Sequence, residues 1–210
     1  LDLERRAEIA RERRARTRGK LLSAAFDLFG TSDGLYIRPE DVAARAGVTR
    51  QTVYNHFAGM AELRAALTHE VTHDYLVRIT RTIEQLDDPI ARAAAAVRFY
   101  LRRAQADPQW AWSMINLSAN GPIFGTETSR QAQDTVAAAI AACALPIESS
   151  MLGRDILLGS ALAAMAAMLR DETPGDYPEQ VAERILLGLG VGAERARSVA
   201  RAPLPEDPGP

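Results

Sequence analysis

Arg38-Pro39-Glu40-Asp41-Val42-Ala43-Ala44-Arg45-Ala46-Gly47-Val48-Thr49-Arg50-Gln51-Thr52-Val53-Tyr54-Asn55-His56-Phe57 reads as two short helices joined by a tight turn. Pro39 suits the first turn of a helix, because its missing N–H is one that a helix start leaves unused. Val42, Ala43 and Ala46 carry that helix to Gly47, which can take the left-handed backbone position such a turn needs. Thr49 is a good N-cap for the second helix, which closes around Phe57. Val42, Ala46, Val48 and Val53 then face inward, and Thr49, Arg50, Gln51 and Thr52 stand at the exposed start.

Upstream, Leu22, Ala25, Phe26 and Phe29 recur at helical spacing and predict a core helix ending near Gly30. Downstream, Leu63, Leu67, Val71, Tyr75 and Ile79 repeat every four residues, a long helix that ends before Asp87-Asp88-Pro89. Ile90, Ala94, Val97, Leu101 and Ala104 mark the next, stopped by Asp107-Pro108. Further helices are expected over 110–119, 129–145, 152–170 and 178–189. Strand patterns are nearly absent, so the expected fold is all-α. It comprises a basic N-terminal arm (1–16), a three-helix module with a helix-turn-helix (17–59), a helical bundle (60–201) and a loose tail (202–210).

With 47% hydrophobic and 25% charged residues, the composition is that of an ordinary soluble protein. No stretch is expected to reach the roughly 18 apolar residues of a membrane span, residues 156–169 coming nearest. The start lacks the apolar run of a secretion signal, and a cytoplasmic location is the expectation. The single cysteine, Cys143, excludes an intramolecular disulfide and reads as small core packing. Charge is uneven: residues 1–57 hold 11 Arg or Lys against 8 Asp or Glu, so the front of the chain is net positive and the rest net negative. Arg5, Arg6, Arg11, Arg13, Arg14, Arg16, Arg18 and Lys20 concentrate the excess, where it could follow a phosphate backbone.

A helix presented by such a turn can enter the DNA major groove with its N-terminal residues facing base edges. Arg can bond guanine in bidentate fashion, Gln can do so with adenine, and Thr can meet a thymine methyl or a phosphate. Tyr54, Asn55 and His56 add hydroxyl, amide and imidazole groups able to hold the backbone without reading sequence. The set Leu28-Phe29, Val42-Ala43-Ala44-Arg45-Ala46-Gly47-Val48-Thr49 and Thr52-Val53-Tyr54-Asn55-His56-Phe57 resembles the DNA-binding domain of TetR-type transcriptional regulators, over residues 17–70. That resemblance implies a homodimeric repressor on a palindromic operator, released when the helical remainder binds a small-molecule effector, with no cofactor. It also implies Arg50, Gln51 and Thr52 near bases and Tyr54 and His56 on phosphates. Two positions depart from the family pattern: Arg38 stands where Ser or Thr often opens the second helix, and Met60 where Lys often opens the fourth. Arg38 can serve as a phosphate partner; Met60 cannot replace the charge.

His69-Glu70-Val71-Thr72-His73 spells the H-E-x-x-H pattern of zinc-dependent hydrolases. A catalytic site needs a third protein ligand, for which Glu84 and Glu127 are the acidic candidates. Nothing around either one singles it out. His69 and His73 are therefore expected on a polar helix face, with no metal and no catalytic residue assigned.

In the bundle, residues 156–169 are apolar all round and must be covered on both faces. Ile156, Gly159, Ser160, Ala163 and Ala167, with Val181, Ile185 and Leu189 of the next helix, are the expected dimer interface. Phe99, Trp110, Met114 and Asn116 are the expected effector-binding residues, bringing aromatic, flexible and amide groups to the helices around Pro108.

Overall fold

A computed structural model describes residues 2–206. It contains ten α-helices and no strand among them: α1 Asp2–Phe29, α2 Pro39–Ala46, α3 Arg50–His56, α4 Met60–Ile83, α5 Pro89–Ala106, α6 Pro108–Ser118, α7 Gly125–Ala141, α8 Ser150–Arg170, α9 Tyr177–Gly188 and α10 Ala193–Arg201. A 3-10 turn at Gly34–Tyr36 precedes α2. Of the tail expected over 202–210, residues 207–210 lie outside the described residues.

The arm is continuous with the first core helix. Its early turns are exposed, whereas Leu21, Leu22, Ala25 and Phe29 are buried against Val42, Val53, Phe57, Leu63 and Leu67. The front module thus shares one core with the start of α4. Further along α4, Tyr75, Ile79 and Ile83 pass into the core of the bundle, built on α5, the most enclosed helix, with α6 to α10 around it. Burial also ties charges here: Arg98 donates to Glu179 through Nε (3.1 Å) and Nη2 (2.8 Å) and to the Ala202 carbonyl (2.7 Å), joining α5 to α9 and the chain after α10.

Five expectations need correction. Asp107-Pro108 opens a helix as well as closing one: Asp107 accepts the Trp110 N–H at 2.9 Å and Pro108 fills the first turn, so α6 begins two residues earlier than expected. The α7 helix lies four residues ahead of the expected span, because Phe124 is buried in a left-handed conformation (φ 56°) that releases a helix from Gly125. At its other end Cys143 takes φ 53°, its N–H bonded to Ile140 O and that of Ala144 to Ala139 O, the Schellman closure that glycine usually supplies. Cys143 is exposed there, not packed in the core. The α10 helix was not expected; Ala196, Val199 and Ala200 bury its one apolar face. The α8 helix starts at Ser150 and, at 21 residues, is long and apolar enough by composition to cross a membrane, but Leu157, Leu158, Ala161, Ala164 and Met165 are buried in the bundle.

Candidate nucleic-acid interface and sensor cavity

Local chemistry fixes the two short helices. The Arg38 N–H donates to the Asp41 carboxylate at 2.9 Å, which closes the start of α2. Gly47 sits at φ 66°, ψ 37°, and the Val48 N–H reaches back to Ala43 O at 3.0 Å. Thr49 Oγ1 accepts the Thr52 N–H at 3.2 Å and starts α3. Val42 and Val53 are fully inside, while Ala46 and Val48 are half-buried.

The opposite face of α3 is open to solvent, and its groups hold one another. Thr49 and Thr52 hydroxyls are 2.9 Å apart, Arg50 Nη2 donates to Tyr54 Oη at 3.3 Å, and Gln51 Nε2 donates to Asn55 Oδ1 at 3.1 Å. Arg50 also pairs with Glu40 of α2 at 3.0 Å. These are exposed contacts, each worth about 0–1 kcal/mol, so a duplex can exchange them for base and phosphate groups at little cost. Arg38 is likewise exposed and engages Asp41 at 3.3 Å.

The arm contributes more directly than its charge alone indicated. Arg14 Nη2 donates to Asn55 O at 3.0 Å, at the carbonyl end of α3, and Arg18 lies 4.4 Å over the Phe57 ring. The His56 imidazole between them is pushed below its ordinary value, first by partial burial and then by Arg14 and Arg18. Tyr36, in the 3-10 turn ahead of α2, is 85% exposed, and no sequence pattern marked it. Met60 opens α4 half-buried against the core and adds no charge; the Glu62 carboxylate accepts the Ala58 N–H at 2.6 Å instead.

Two family models match the chain. Residues 21–67 match "Bacterial regulatory proteins, tetR family" and residues 88–202 match "Tetracyclin repressor-like, C-terminal domain", the latter more than half of the chain. The chain belongs to the TetR family. It is a DNA-binding transcriptional regulator with an N-terminal helix-turn-helix and a C-terminal helical domain, and not an enzyme. The Probable HTH-type transcriptional regulator ArpR of Pseudomonas putida is 38% identical over 80 residues, 37% of this chain and 38% of that protein. The match therefore spans about two fifths of this curated relative's length. RolR in complex with resorcinol superposes with a TM-score of 0.76 at 24% identity, over 93% of this chain and 98% of that one. SmeT, the repressor of the Stenotrophomonas maltophilia multidrug efflux pump SmeDEF, does so at 0.60 and 22%, over 81% and 89%. At these identities the likeness is one of fold.

Within this TetR-family body an apolar cavity lies between α4, α5, α7 and α8. Leu76, Ile79 and Ile83 of α4 form one wall, Ala93, Ala96 and Val97 of α5 another, and Leu157, Leu158 and Ala161 of α8 a third. Its free volume is about 50 Å³, room for a water or two. Tyr100 and Thr128, their hydroxyls 3.4 Å apart, share its polar lining with Thr80, Gln131 and Thr135, and burial pushes the Tyr100 phenol up to about 12, so it stays a neutral donor.

The expected effector residues lie elsewhere. Phe99 and Met114 are buried and line no part of this cavity; Trp110 donates from Nε1 to Val71 O at 3.1 Å and faces a separate cleft with Phe26 and Arg103. Asn116 is committed to structure: its Nδ2 donates to Phe29 O and Thr31 O, both at 2.8 Å, clamping α6 to the end of α1. Arg64 completes the junction, donating to Asn116 O (3.3 Å) and Leu35 O (3.2 Å) over the Phe29 ring. The signal for this cavity is the small residues Ala93, Ala96 and Val97 of α5, which leave space unfilled opposite α4.

Of the expected interface set, Ile156, Gly159, Ser160, Ala167 and Val181 are half-buried and Ala163 is exposed on the α8–α9 face. Ile185 and Leu189, at 4% and 0% exposure, are covered by their own chain. Glu127, in the first turn of α7, lies against both His69 (3.2 Å) and His73 (3.0 Å), whereas Glu84 is exposed at the far end of α4. Glu70 lines the separate cleft beside Asp74 and Trp110, not the cleft that His69 and Glu127 line.

Proposed function

We propose that the chain is a cytoplasmic, homodimeric repressor that leaves a palindromic operator when a small effector enters the α4/α5/α7/α8 cavity. One observation carries this reading: α4 runs without a break from the recognition module to the cavity wall, Met60 at one end and Leu76, Ile79 and Ile83 near the other. Any change of cavity shape acts on the helix that sets where α3 points. In this reading the DNA-binding module ends near Gly59. Arg50, Gln51, Thr52 and Thr49 approach bases, and Arg38, Tyr54, Asn55 and His56 hold phosphates, with Arg14 and Arg18 alongside. Dimerisation uses the α8–α9 face through Ile156, Gly159, Ser160, Ala163, Ala167 and Val181.

The cavity calls for an uncharged, mostly apolar effector with one or two hydroxyl groups, able to bond Tyr100 and Thr128. Resorcinol, bound by RolR, and triclosan, bound by SmeT, are natural first probes. Sequencing the DNA fragments that the purified protein retains tests the reading: paired half-sites centred about 34–36 Å or a multiple apart are expected for a dimer. Arg50→Ala should lower affinity for that site about 5- to 150-fold, the 1–3 kcal/mol of a bidentate base contact, with dimerisation intact. Sites without symmetry, or an unchanged affinity, would remove the dimeric reading or Arg50 respectively.

A further inference from the structure

His69 and His73 stand one turn apart on α4 and so present their rings on one face, with centroids 4.7 Å apart. Across from them the first turn of α7 brings Glu127. That approach is built into the backbone: Gly125 has φ 88°, and a Cβ there would lie 2.6 Å from Thr68 Cγ2, so only glycine lets α7 come this close to α4. Phe124, buried and bonded through its N–H to Ser118 Oγ at 3.0 Å, fixes where α7 begins.

Glu127 Oε2 lies 3.2 Å from His69 Nδ1 and 3.0 Å from His73 Nδ1, and the donor atoms of all three residues fall within 4.8 Å of one another. Ligands held about 2.0–2.2 Å from a zinc ion at tetrahedral to octahedral angles are themselves roughly 3.0–3.5 Å apart. Both nitrogen–oxygen edges already have that spacing, and the exposed imidazoles need only small rotations to close the third. We infer that His69, His73 and Glu127 form a binding site for a divalent transition-metal ion of the zinc type, which pins α4 to α7.

Two imidazoles and one carboxylate select zinc, nickel or cobalt over magnesium and calcium, which prefer oxygen. A cleft of about 300 Å³, lined by Arg64, Thr68, Asn120 and Thr126 together with His69 and Glu127, opens beside these two of the three ligands and leaves room for water there. Glu70 lines a different cleft, so the base that a hydrolase of this motif requires is missing and the ion's role is to brace. The brace falls about 14 Å along α4 from Met60, between the DNA-binding module and the apolar cavity. It is a second input to the same helix, separate from the effector site.

Full-length protein, stripped with a chelator and dialysed, would be titrated with zinc chloride by calorimetry and with cobalt chloride by visible absorption. One ion per chain is expected, and zinc should slow amide hydrogen exchange in the first turn of α7. His69→Ala, His73→Ala and Glu127→Ala should each weaken binding more than about 100-fold, beyond the 10- to 100-fold cost of losing an outer partner. All three side chains are surface-accessible, and circular dichroism would confirm that the variants fold. Cys143→Ser should bind as the parent does. Failure of zinc to saturate the protein, retention of binding in His73→Ala, loss of binding in Cys143→Ser, or unchanged exchange in α7 would each overturn the inference.

Discussion

Replacing Asn116 by alanine separates a structural clamp from an effector contact. In the folded chain Asn116 Nδ2 satisfies two carbonyls, Phe29 O and Thr31 O, at 2.8 Å each, where α1 ends and the turn before α2 begins. The residue is 3% exposed, so water cannot take its place without rearrangement. Losing two hydrogen bonds costs about 1 kcal/mol each, and a carbonyl left buried without a donor adds about 1–3 kcal/mol. Thr31 lies in an exposed turn and can regain water, so only the Phe29 carbonyl bears the larger penalty. The sum is about 3–5 kcal/mol, which for a chain of this length lowers Tm by roughly 6–20 °C. Calorimetry on Asn116→Ala beside the parent would measure it, with operator affinity followed at a temperature where both are folded. A shift under about 1 °C combined with an altered effector response would refute the clamp and restore Asn116 to the effector site.

Other perturbations follow from the same geometry. Gly47→Ala meets no neighbour within 4 Å, so its cost is conformational: about 1–2 kcal/mol for a left-handed alanine, partly offset by a less flexible unfolded chain, read as a lower denaturant midpoint. Thr49→Ala removes the cap on α3 and should cost about 1 kcal/mol in the same measurement. The depressed His56 pKa gives a signed pH effect: unfolded His56 binds protons more readily, so its contribution to stability is complete above the ordinary value of 6.5 and declines as pH falls toward the folded value. A phosphate partner reverses that preference, so operator affinity should rise as pH falls from 7.5 to 6, and His56→Gln should flatten the profile. Ala96→Leu should fill the cavity and abolish effector response while operator binding persists.

What could be read from the sequence was what short-range chemistry determines. Pro39, Gly47 and Thr49 each fix a backbone state within a few residues, so α2, the turn and α3 fall where their sequence placed them. Asp107-Pro108 carried two meanings, stop and start, and only one was read. The position of α7 depends on Phe124 being buried in a strained conformation, a tertiary demand with no local signature. The apolar face of α10 is three small residues among charged ones, too faint a stripe to register. Asn116 offered an amide on an apolar helix, which suggests a ligand contact, but two carbonyls more than 80 residues away take both Nδ2 hydrogens. Ile185 and Leu189 were apolar for their own core, and periodicity alone does not say which of two apolar faces a partner would cover.

The contacts along α4 explain how a small effector could move a recognition helix. From front to back they are Glu62 on the Ala58 N–H, Arg64 on Asn116 and Leu35, the histidine pair on Glu127, and the cavity wall from Leu76 to Ile83. Twenty-four residues make a lever about 36 Å long, so a tilt of about 5° at the cavity displaces the far end by roughly 3 Å. In the proposed dimer, a shift of that size in each protomer would spoil a half-site spacing set by the turn of the duplex. The cavity as it stands, about 50 Å³, is too small for an effector of even eight heavy atoms. Whatever binds must therefore favour a wider arrangement of α4, α5, α7 and α8 over this one. That difference in affinity between two shapes is the condition a ligand must meet to shift a population, and a cavity this small on the lever itself would impose it on any larger ligand.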